Sequence, residues 1–145
     1  MLNEMLKKQN VLILDSVNDW KEAIHLSVKL LVNGGYVTNE YARAIIQQTE
    51  KLGPYYILAP SIALPHARPE MGVKEKQLSV LLVKKGVLFP KNNTPVHLII
   101  ILAATDSLSH LDVLKDMATI LMNNNNVKHI LESKTTNELY SYFIK

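Results

Sequence analysis

The eight residues 64–71, Leu-Pro-His-Ala-Arg-Pro-Glu-Met, concentrate side chains that can move a phosphoryl group. His66 directly follows Pro65, and Pro69 comes three residues after it. Proline fixes φ and biases the residue before it toward extended backbone, so the loop that carries the histidine is short and stiff. Arg68 offers a planar guanidinium that matches phosphate oxygens. A rigidly mounted imidazole beside such a group favours a nucleophile that carries phosphate.

A second histidine, His110, has features that suit a phosphate stabiliser. Residues 109–112, Ser-His-Leu-Asp, have the spacing of a capping box and predict that this histidine lies in the first turn of a helix. Such a terminus attracts anions and disfavours imidazolium, so the ring stays neutral and can donate an N–H. If the fold brings the two histidines together, they supply an attacking nitrogen and a stabilising donor. Glu70 or Glu50 could orient the His66 ring, and the sequence leaves that choice open.

The remaining histidines and the absent motifs limit the alternatives. His25, His97 and His129 lack comparable surroundings and are interpreted as structural or exposed. The chain contains no GxxxxGK[ST] loop, no GxGxxG and no carboxylate cluster typical of magnesium. We therefore predict that no cofactor is needed and that the phosphoryl group arrives from another protein. A metal-dependent hydrolase that uses His66 and His110 is a further hypothesis, although zinc-type ligand spacing is absent.

Composition places the chain among soluble globular domains. Its 145 residues predict a single domain over residues 1–145, and 48% hydrophobic residues are enough for a core. The net charge of +3 comes without a concentrated basic patch, which argues against nucleic-acid binding. There is no cysteine, the N-terminus does not resemble a signal peptide, and the longest apolar run, residues 98–104, is too short for a membrane helix. We predict a cytoplasmic protein.

Hydrophobic periodicity predicts the elements that position these residues. The predicted strands are aliphatic runs, at Val11–Leu14, Leu78–Val83 and Val96–Ala103, with a turn at Gly86. The predicted helices have caps at Ser16–Asp19, Thr38, Ser109–Asp112 and Thr135, and the third of them ends near Asn123–Asn126. Along this third helix, a stripe of Leu111, Leu114, Ala118 and Leu121 is interpreted as core. Strands interspersed with helices indicate an α/β domain in which helices cover a mixed sheet.

Two segments together resemble a known protein family. Residues 61–70, Ser-Ile-Ala-Leu-Pro-His-Ala-Arg-Pro-Glu, and residues 109–114, Ser-His-Leu-Asp-Val-Leu, resemble the EIIA component of the bacterial phosphoenolpyruvate-dependent sugar phosphotransferase system. The resemblance is to the mannitol/fructose-type superfamily, and the His-Ala-Arg-Pro-Glu form is most similar to its ascorbate branch. Weaker support comes from Trp20, Gly35, Thr38, Tyr41 and residues 52–55. The resemblance implies a mixed sheet flanked by helices on both faces.

The resemblance also implies roles for the site residues. His66 would accept a phosphoryl group on Nε2 from the phosphohistidine of HPr and pass it to a cysteine of EIIB. Membrane-embedded EIIC would then couple transfer to uptake of a sugar, for which the branch resemblance indicates L-ascorbate. His110 matches the second active-site histidine, and Glu70 and Glu50 match family carboxylates. An alternative within the same resemblance is a regulatory EIIA-like protein, in which the phosphorylation state of His66 controls binding to a regulator.

Two departures from the family pattern affect the predicted phosphate site. Ser61 stands where relatives commonly have glycine, and it either adds a hydroxyl near the phosphate or alters the turn. Thr49 stands where mannitol- and fructose-type relatives often have arginine, and our hypothesis is that Arg68 substitutes for that arginine. For the partner proteins, we predict an apolar rim that includes Leu64 and Met71, with core packing as the alternative role of both side chains.

Overall fold

A five-stranded mixed sheet forms the centre of the computed structural model, which describes residues 2–144 apart from the side chains of Ser107 and Ser109. In sheet order the strands are β1 (Val11–Leu14), β4 (Gln77–Val87), β5 (Val96–Ala103), β3 (Ile62–Ala63) and β2 (Ile57–Ala59). The two central strands, β4 and β5, are antiparallel, β1 runs parallel to β4, and β3 runs parallel to β5. The helices are α1 (Trp20–Asn33), α2 (Glu40–Leu52), α3 (Ser107–Leu121), α4 (Asn124–Leu131) and α5 (Thr136–Ser141).

The sheet is buried on both faces, which explains why its central strands are almost continuously aliphatic. Leu81 and Ile99 face one way and pack with residues of α1 and α2. Val80 and Ile100 face the other way and pack with residues of α3, α4 and α5. Helices therefore cover both faces of a mixed sheet, and the predicted fold class is confirmed. No helix within residues 2–144 has both the length and the apolar composition needed to cross a bilayer.

The N-terminal caps of α1 and α2 differ from the predicted ones. The first helix begins three residues later, because the Asp19 carboxylate accepts a hydrogen bond from the Glu22 N–H at 2.9 Å. Glu22 in turn accepts from the N–H of Asn18, the residue before the cap, at 2.8 Å, in a reciprocal arrangement similar to a capping box. For α2, Thr38 provides no cap, and the helix follows Asn39 without a side-chain capping bond. The Ser16 and Thr38 caps were therefore wrong.

The third helix ends at Leu121, close to the predicted end, but the sequence analysis did not predict the further helix that follows it. The asparagine run begins α4, since the Asn123 side chain accepts from the Asn126 N–H at 3.1 Å. Polar asparagine residues are poor helix formers but good caps, and the sequence interpretation recognised only the first property. The Thr135 cap of α5 is confirmed by its hydrogen bond from the Glu138 N–H at 3.1 Å.

Helix α3 begins earlier than predicted and buries a different stripe. It starts at residue 107, and the predicted Ser109 side-chain cap lies outside the described residues. The fully buried side chains are Val113 and Met117, whereas Leu111 is 62% exposed and Ala118 is also exposed. The core interpretation was therefore wrong for Leu111, which lines the cavity described below, and for Ala118. It is confirmed for Leu114 and Leu121, which are partly buried and pack against the core.

Gly86 makes no turn but lies inside β4 with a φ of +75°. A Cβ at this position would come within 2.8 Å of the Pro95 Cβ and 2.9 Å of the His97 Cε1. We expect Gly86→Ala to destabilise the fold by about 2–5 kcal/mol, because left-handed strain and overpacking add together. Urea unfolding would measure the change.

Gly35 provides the matched control for this substitution. Its φ of +81° is similar, but a Cβ added there would meet no other atom within 4 Å. Gly35→Ala should therefore show only the strain, about 1–2 kcal/mol. Equal losses in the two variants would contradict the contribution of the Pro95 and His97 contacts.

Candidate functional site

His66 lies on the loop after β3 with its ring orientation fixed by the main chain. Its Nδ1 atom is 2.9 Å from the carbonyl oxygen of Leu64. A carbonyl only accepts hydrogen bonds, so Nδ1 carries the proton and Nε2 keeps a lone pair. Leu64 is a firm support for this contact, because its side chain is buried and its N–H donates to the Tyr56 carbonyl at 3.0 Å. The ring is thus preset with Nε2 as its nucleophilic atom.

The residues on both sides of His66 are tied to the rest of the protein. On one side, the Pro65 carbonyl accepts from the Leu102 N–H at 3.2 Å. On the other side, the Ala67 N–H donates to the Tyr41 hydroxyl at 3.1 Å. The Tyr41 hydroxyl donates to the Leu102 carbonyl at 2.6 Å. The histidine loop is therefore anchored to both α2 and β5.

His110 lies in the first turn of α3 and directly faces His66. The centroids of the two rings are 4.9 Å apart with an interplanar angle of 67°. The His110 main-chain N–H donates to the Asp106 carbonyl at 3.2 Å, which places the ring near the start of the helix. Burial, and then the charge of His66, lower the pKa of His110 below its ordinary value. The structure thus brings the two histidines together and favours a neutral His110.

Tyr55 closes another side of the His66 ring. The two rings meet edge to face, with centroids 5.7 Å apart and an interplanar angle of 89°. The Tyr55 hydroxyl donates to Oε1 of Gln48 at 2.9 Å, and it also lies 3.4 Å from the His66 carbonyl. Burial raises the pKa of Tyr55, which favours the protonated hydroxyl that makes these bonds.

These groups line a cavity of about 450 Å³ between the His66 loop, the end of β5 and the start of α3. Its polar lining consists of Gln48, Tyr55, His66, Arg68, Asp106 and His110. The arrangement offers a nucleophilic nitrogen, a neutral imidazole donor and a cation beside one open space. Such a set can hold an anionic group at His66 while a second reactant approaches from solvent.

Residues 4–145 match the family model for the EIIA 2 component of the phosphoenolpyruvate-dependent sugar phosphotransferase system. The chain belongs to this EIIA family. The resemblance deduced from the histidine motif is thereby confirmed. Members of this family are phosphotransferase components, so the EIIA chain has a general transferase role.

Relatives of this EIIA chain have two different sugar specificities. The mannitol-specific cryptic phosphotransferase enzyme IIA component of Escherichia coli (strain K12) is 35% identical over 138 residues, which cover 95% of this chain and 94% of the relative. The ascorbate-specific EIIA component of Salmonella choleraesuis (strain SC-B67) is 39% identical over 114 residues, which cover 77% and 74%. The relatives therefore establish the component but not its sugar.

Solved EIIA structures have the same fold. The solution structure of the mannitol-specific cryptic enzyme IIA from Escherichia coli superposes with a TM-score of 0.92 at 34% identity, covering 98% of this chain and 97% of that one. In the complex of enzyme IIA and phosphorylated enzyme IIB for mannitol from Escherichia coli, the TM-score is 0.82 at 26% identity, with coverage of 96% and 98%. These superpositions confirm the predicted EIIA architecture.

Arg68 and Glu70 lie beside the EIIA cavity as a solvent-exposed ion pair. The Arg68 Nε atom is 3.3 Å from Oε1 of Glu70, and both side chains are mostly exposed. Exposed pairs of this kind are weak, so the guanidinium can leave Glu70 for a stronger anion. Glu70 makes this ion pair, whereas the orienting contact to His66 Nδ1 comes from the Leu64 carbonyl instead of a carboxylate.

The structure does not bring Glu50 and Ser61 to the cavity. Glu50 pairs with Nζ of Lys21 at 3.1 Å. The Ser61 carbonyl accepts from the N–H groups of His97 and Leu98 at the start of β5. His66 is five positions farther along the chain, about 16 Å away if the segment is extended. A strand therefore carries Ser61 away from the phosphate site that the sequence analysis assigned to it.

Thr49 cannot take the place of the family arginine in contacting phosphate. It is buried, and its hydroxyl donates to the Ile45 carbonyl at 2.7 Å and lies 2.6 Å from the Tyr56 hydroxyl. Arg68 is the guanidinium that lines the cavity instead. This placement agrees with the hypothesis that Arg68 supplies the missing cation.

The apolar rim differs from the predicted one at Leu64. That side chain is buried and belongs to the core, so the rim assignment was wrong and the alternative role is correct. Met71 is 38% exposed, and α3 adds Leu108 and Leu111, which are 71% and 62% exposed. The sequence interpretation missed the two leucines because a helical leucine pattern is usually core.

Among the residues at the site, sequence reasoning gave no site role to Tyr41, Gln48, Tyr55 and Asp106. The contacts of Tyr41 and Tyr55 depend on the packing of α2 against the histidine loop. In the part of the chain that the structure describes, no three histidine or acidic side chains are grouped so as to hold a metal ion.

Proposed function

We propose that this EIIA chain is a cytoplasmic phosphocarrier that accepts a phosphoryl group on Nε2 of His66 from phospho-HPr and passes it to a cysteine of EIIB. The observation that carries the proposal is the hydrogen bond from Nδ1 to the Leu64 carbonyl, which directs the lone pair to Nε2. The similarity to an enzyme IIA bound to phosphorylated enzyme IIB supports EIIB as the second partner. Residues 1–145 would act as one domain, with membrane EIIC involved only through EIIB.

The transfer needs no cofactor in this scheme. The Nε2 lone pair forms a bond to phosphorus while the bond from phosphorus to the HPr histidine breaks, and that histidine keeps the electron pair. In the onward step, the thiolate sulfur of EIIB forms the new bond to phosphorus, and Nε2 recovers its electron pair. Nδ1 keeps its proton against the Leu64 carbonyl in both steps, so the ring leaves as a neutral imidazole.

Charge on the phosphoryl oxygens is stabilised by His110 and Arg68. A phosphoryl group brings about −1.5 to −2 charges at pH 7, and phosphoryl transfer depends mainly on positioning and on stabilisation of those charges. Neutral His110 supplies an N–H donor 4.9 Å, ring centre to ring centre, from His66. Arg68 supplies a bidentate cation once it leaves Glu70. The two groups approach the phosphate from different elements.

Replacing Arg68 with glutamine should slow phosphoryl uptake by about 10- to 100-fold, because a charge-assisted hydrogen bond to the transferring group is lost. Stopped-flow measurement with phospho-HPr would give the rate. The matched control is Glu70→Gln, which removes the competing carboxylate and leaves the guanidinium in place. Glu70→Gln should leave the uptake rate unchanged or raise it. Equal slowing in both variants would show that the rate depends on the ion pair and not on a contact between Arg68 and the phosphoryl group.

Labelling from phospho-HPr tests the proposed function directly. The chain should take up one phosphoryl group in an acid-labile, base-stable form, and peptide mapping should place it on His66. Adding EIIB should then remove the label from the chain and transfer it to a cysteine. Stable label on a serine or threonine, or no label in the presence of active phospho-HPr, would contradict the proposal.

For the sugar, we propose L-ascorbate, on the basis of the Ala-Arg-Pro-Glu sequence at residues 67–70 and of the ascorbate-specific relatives. Mannitol is the second candidate, because the mannitol-specific cryptic relative aligns with more of the chain. Rates of phosphoryl transfer to purified EIIB proteins of the two types distinguish them. Faster transfer to the mannitol-type EIIB would overturn the ascorbate assignment.

A further inference from the structure

One buried hydroxyl joins the two segments that carry the histidines. Tyr41 is fully buried on α2, and its hydroxyl accepts from the Ala67 N–H at 3.1 Å while donating to the Leu102 carbonyl at 2.6 Å. Ala67 directly follows His66, and Leu102 lies near the end of the strand that leads into α3. We infer that Tyr41 is a positioning residue whose hydroxyl sets the spacing between the two histidines. This inference rests on the proposed function only for its effect on transfer rate.

Two hydrogen bonds of the Leu102 main chain hold the histidine loop on the two sides of His66. The Leu102 N–H bonds to the Pro65 carbonyl, which lies before His66, and the Leu102 carbonyl bonds to Tyr41, which holds Ala67 after it. Without the hydroxyl, Ala67 loses its link to α2 and β5, and the part of the loop that follows His66 can pivot. The half-buried Ala67 N–H and the buried Leu102 carbonyl would also lose their partner, and this loss favours movement of the loop.

The Tyr41 hydroxyl is suited to a fixed link because it holds its proton. Burial raises the pKa of Tyr41 to about 12, so the hydroxyl remains a donor to the Leu102 carbonyl throughout the physiological range. The hydroxyl oxygen simultaneously accepts from the Ala67 N–H, so the hydroxyl acts as donor and acceptor at once. Displacements of about 1 Å can cost two orders of magnitude in reactions that depend on positioning. The spacing between the histidines is therefore expected to affect the rate strongly.

Tyr41→Phe tests the inference, and Tyr56→Phe is its matched control. Tyr56 is also buried, burial raises its pKa to about 12, and its hydroxyl lies 2.6 Å from the Thr49 hydroxyl. That contact involves no main-chain group of the His66 loop. We expect Tyr41→Phe to lower the maximal rate of phosphoryl uptake from phospho-HPr by about 10- to 100-fold with little change in the half-saturating concentration. Tyr56→Phe should stay within about twofold.

Nuclear magnetic resonance provides readouts that a purely structural role would leave unchanged. In folded Tyr41→Phe, nitrogen chemical shifts should show an increased share of the His66 tautomer with its proton on Nε2. A titration should show the pKa of His110 rising toward its ordinary value, since the ring would be less buried and farther from His66. Both measurements are made on the unphosphorylated protein, so they remain informative if phospho-HPr proves not to be the donor.

Amide hydrogen exchange of the unsubstituted chain tests the same link without a variant. The Ala67 amide should exchange at least about tenfold more slowly than in an unstructured peptide of the same sequence, because it bonds to a buried hydroxyl. Exchange at the peptide rate would overturn the inference. It would also be overturned if folded Tyr41→Phe kept the His66 tautomer, the pKa of His110 and the uptake rate of the unsubstituted chain. Equal slowing of uptake in Tyr56→Phe, or failure of Tyr41→Phe alone to fold, would overturn it as well.

Discussion

Replacing His66 with glutamine should reduce phosphoryl uptake from phospho-HPr to background. The substitution removes the nucleophilic lone pair of the loop, since Nε2 is the free ring nitrogen when Nδ1 bonds to Leu64. Arg68 and His110 would still attract an anion, but neither can replace a nucleophile whose covalent bond to phosphorus is the intermediate. Radiolabelled phospho-HPr, followed by gel separation under alkaline conditions, measures the uptake.

His25→Gln is the matched control for this substitution. His25 is exposed on α1, and its side chain does not line the cavity. We expect full labelling of the control. His66→Gln should remain folded with a loss of about 1 kcal/mol, because one hydrogen bond to a main-chain carbonyl disappears. Normal label stoichiometry in folded His66→Gln would refute the assignment of the phosphorylated atom.

The predictable part of the fold is the part that depends on local physical chemistry. The aliphatic run at 96–103 became β5 with the predicted boundaries, because a strand covered on both faces needs apolar side chains at nearly every position. The extended backbone of Arg68 was also predictable, because this residue precedes Pro69. The Thr135 cap was correct because its partner lies three residues away in the chain.

The missing part depends on main-chain groups and on the packing of distant elements. Glu70 or Glu50 was predicted to orient His66, but the acceptor is the Leu64 carbonyl. Because every residue has a main-chain carbonyl, a pattern of residue types cannot indicate which one binds the ring. Ser61 was assigned to the site because it is near His66 in sequence, yet an extended strand lies between these two residues. Tyr41 reaches the loop across 26 positions of the sequence, so no local motif contains the contact.

The surroundings of the two histidines differ in a way that supports their different proposed roles. His66 receives a main-chain acceptor at Nδ1, which fixes one tautomer and presents a lone pair. The His110 ring is partly buried and lies at the start of a helix, and both features disfavour a charged ring. A neutral donor next to a neutral nucleophile avoids the repulsion that two imidazolium rings would experience at a centroid separation of 4.9 Å. The arrangement of the pair supports the proposed attack at Nε2 of His66 with stabilisation from His110.

His110→Ala should slow phosphoryl transfer by about 10- to 100-fold in both directions while leaving the fold intact. The variant loses one hydrogen bond to a charged group, which is worth about 1.5–3 kcal/mol in the transition state. His110→Gln should fall between alanine and histidine, because its amide N–H can reach a phosphoryl oxygen from the same helix position. Quenched-flow rates with phospho-HPr and with EIIB would measure both directions, and unchanged rates in His110→Ala would remove the proposed role.

The lowered pKa of His110 also predicts how stability depends on pH. The folded chain binds fewer protons at this ring than the unfolded chain, so protonation favours unfolding once the pH falls below the ordinary histidine value of about 6.5. In the unsubstituted protein, stability should therefore decrease from neutral pH toward pH 5.5. His110→Gln removes the titrating ring, and urea unfolding at pH 7.5 and pH 5.5 should show a smaller decrease. An equal decrease in the variant would mean that the ring does not resist protonation, and the neutral donor role would lose its physical basis.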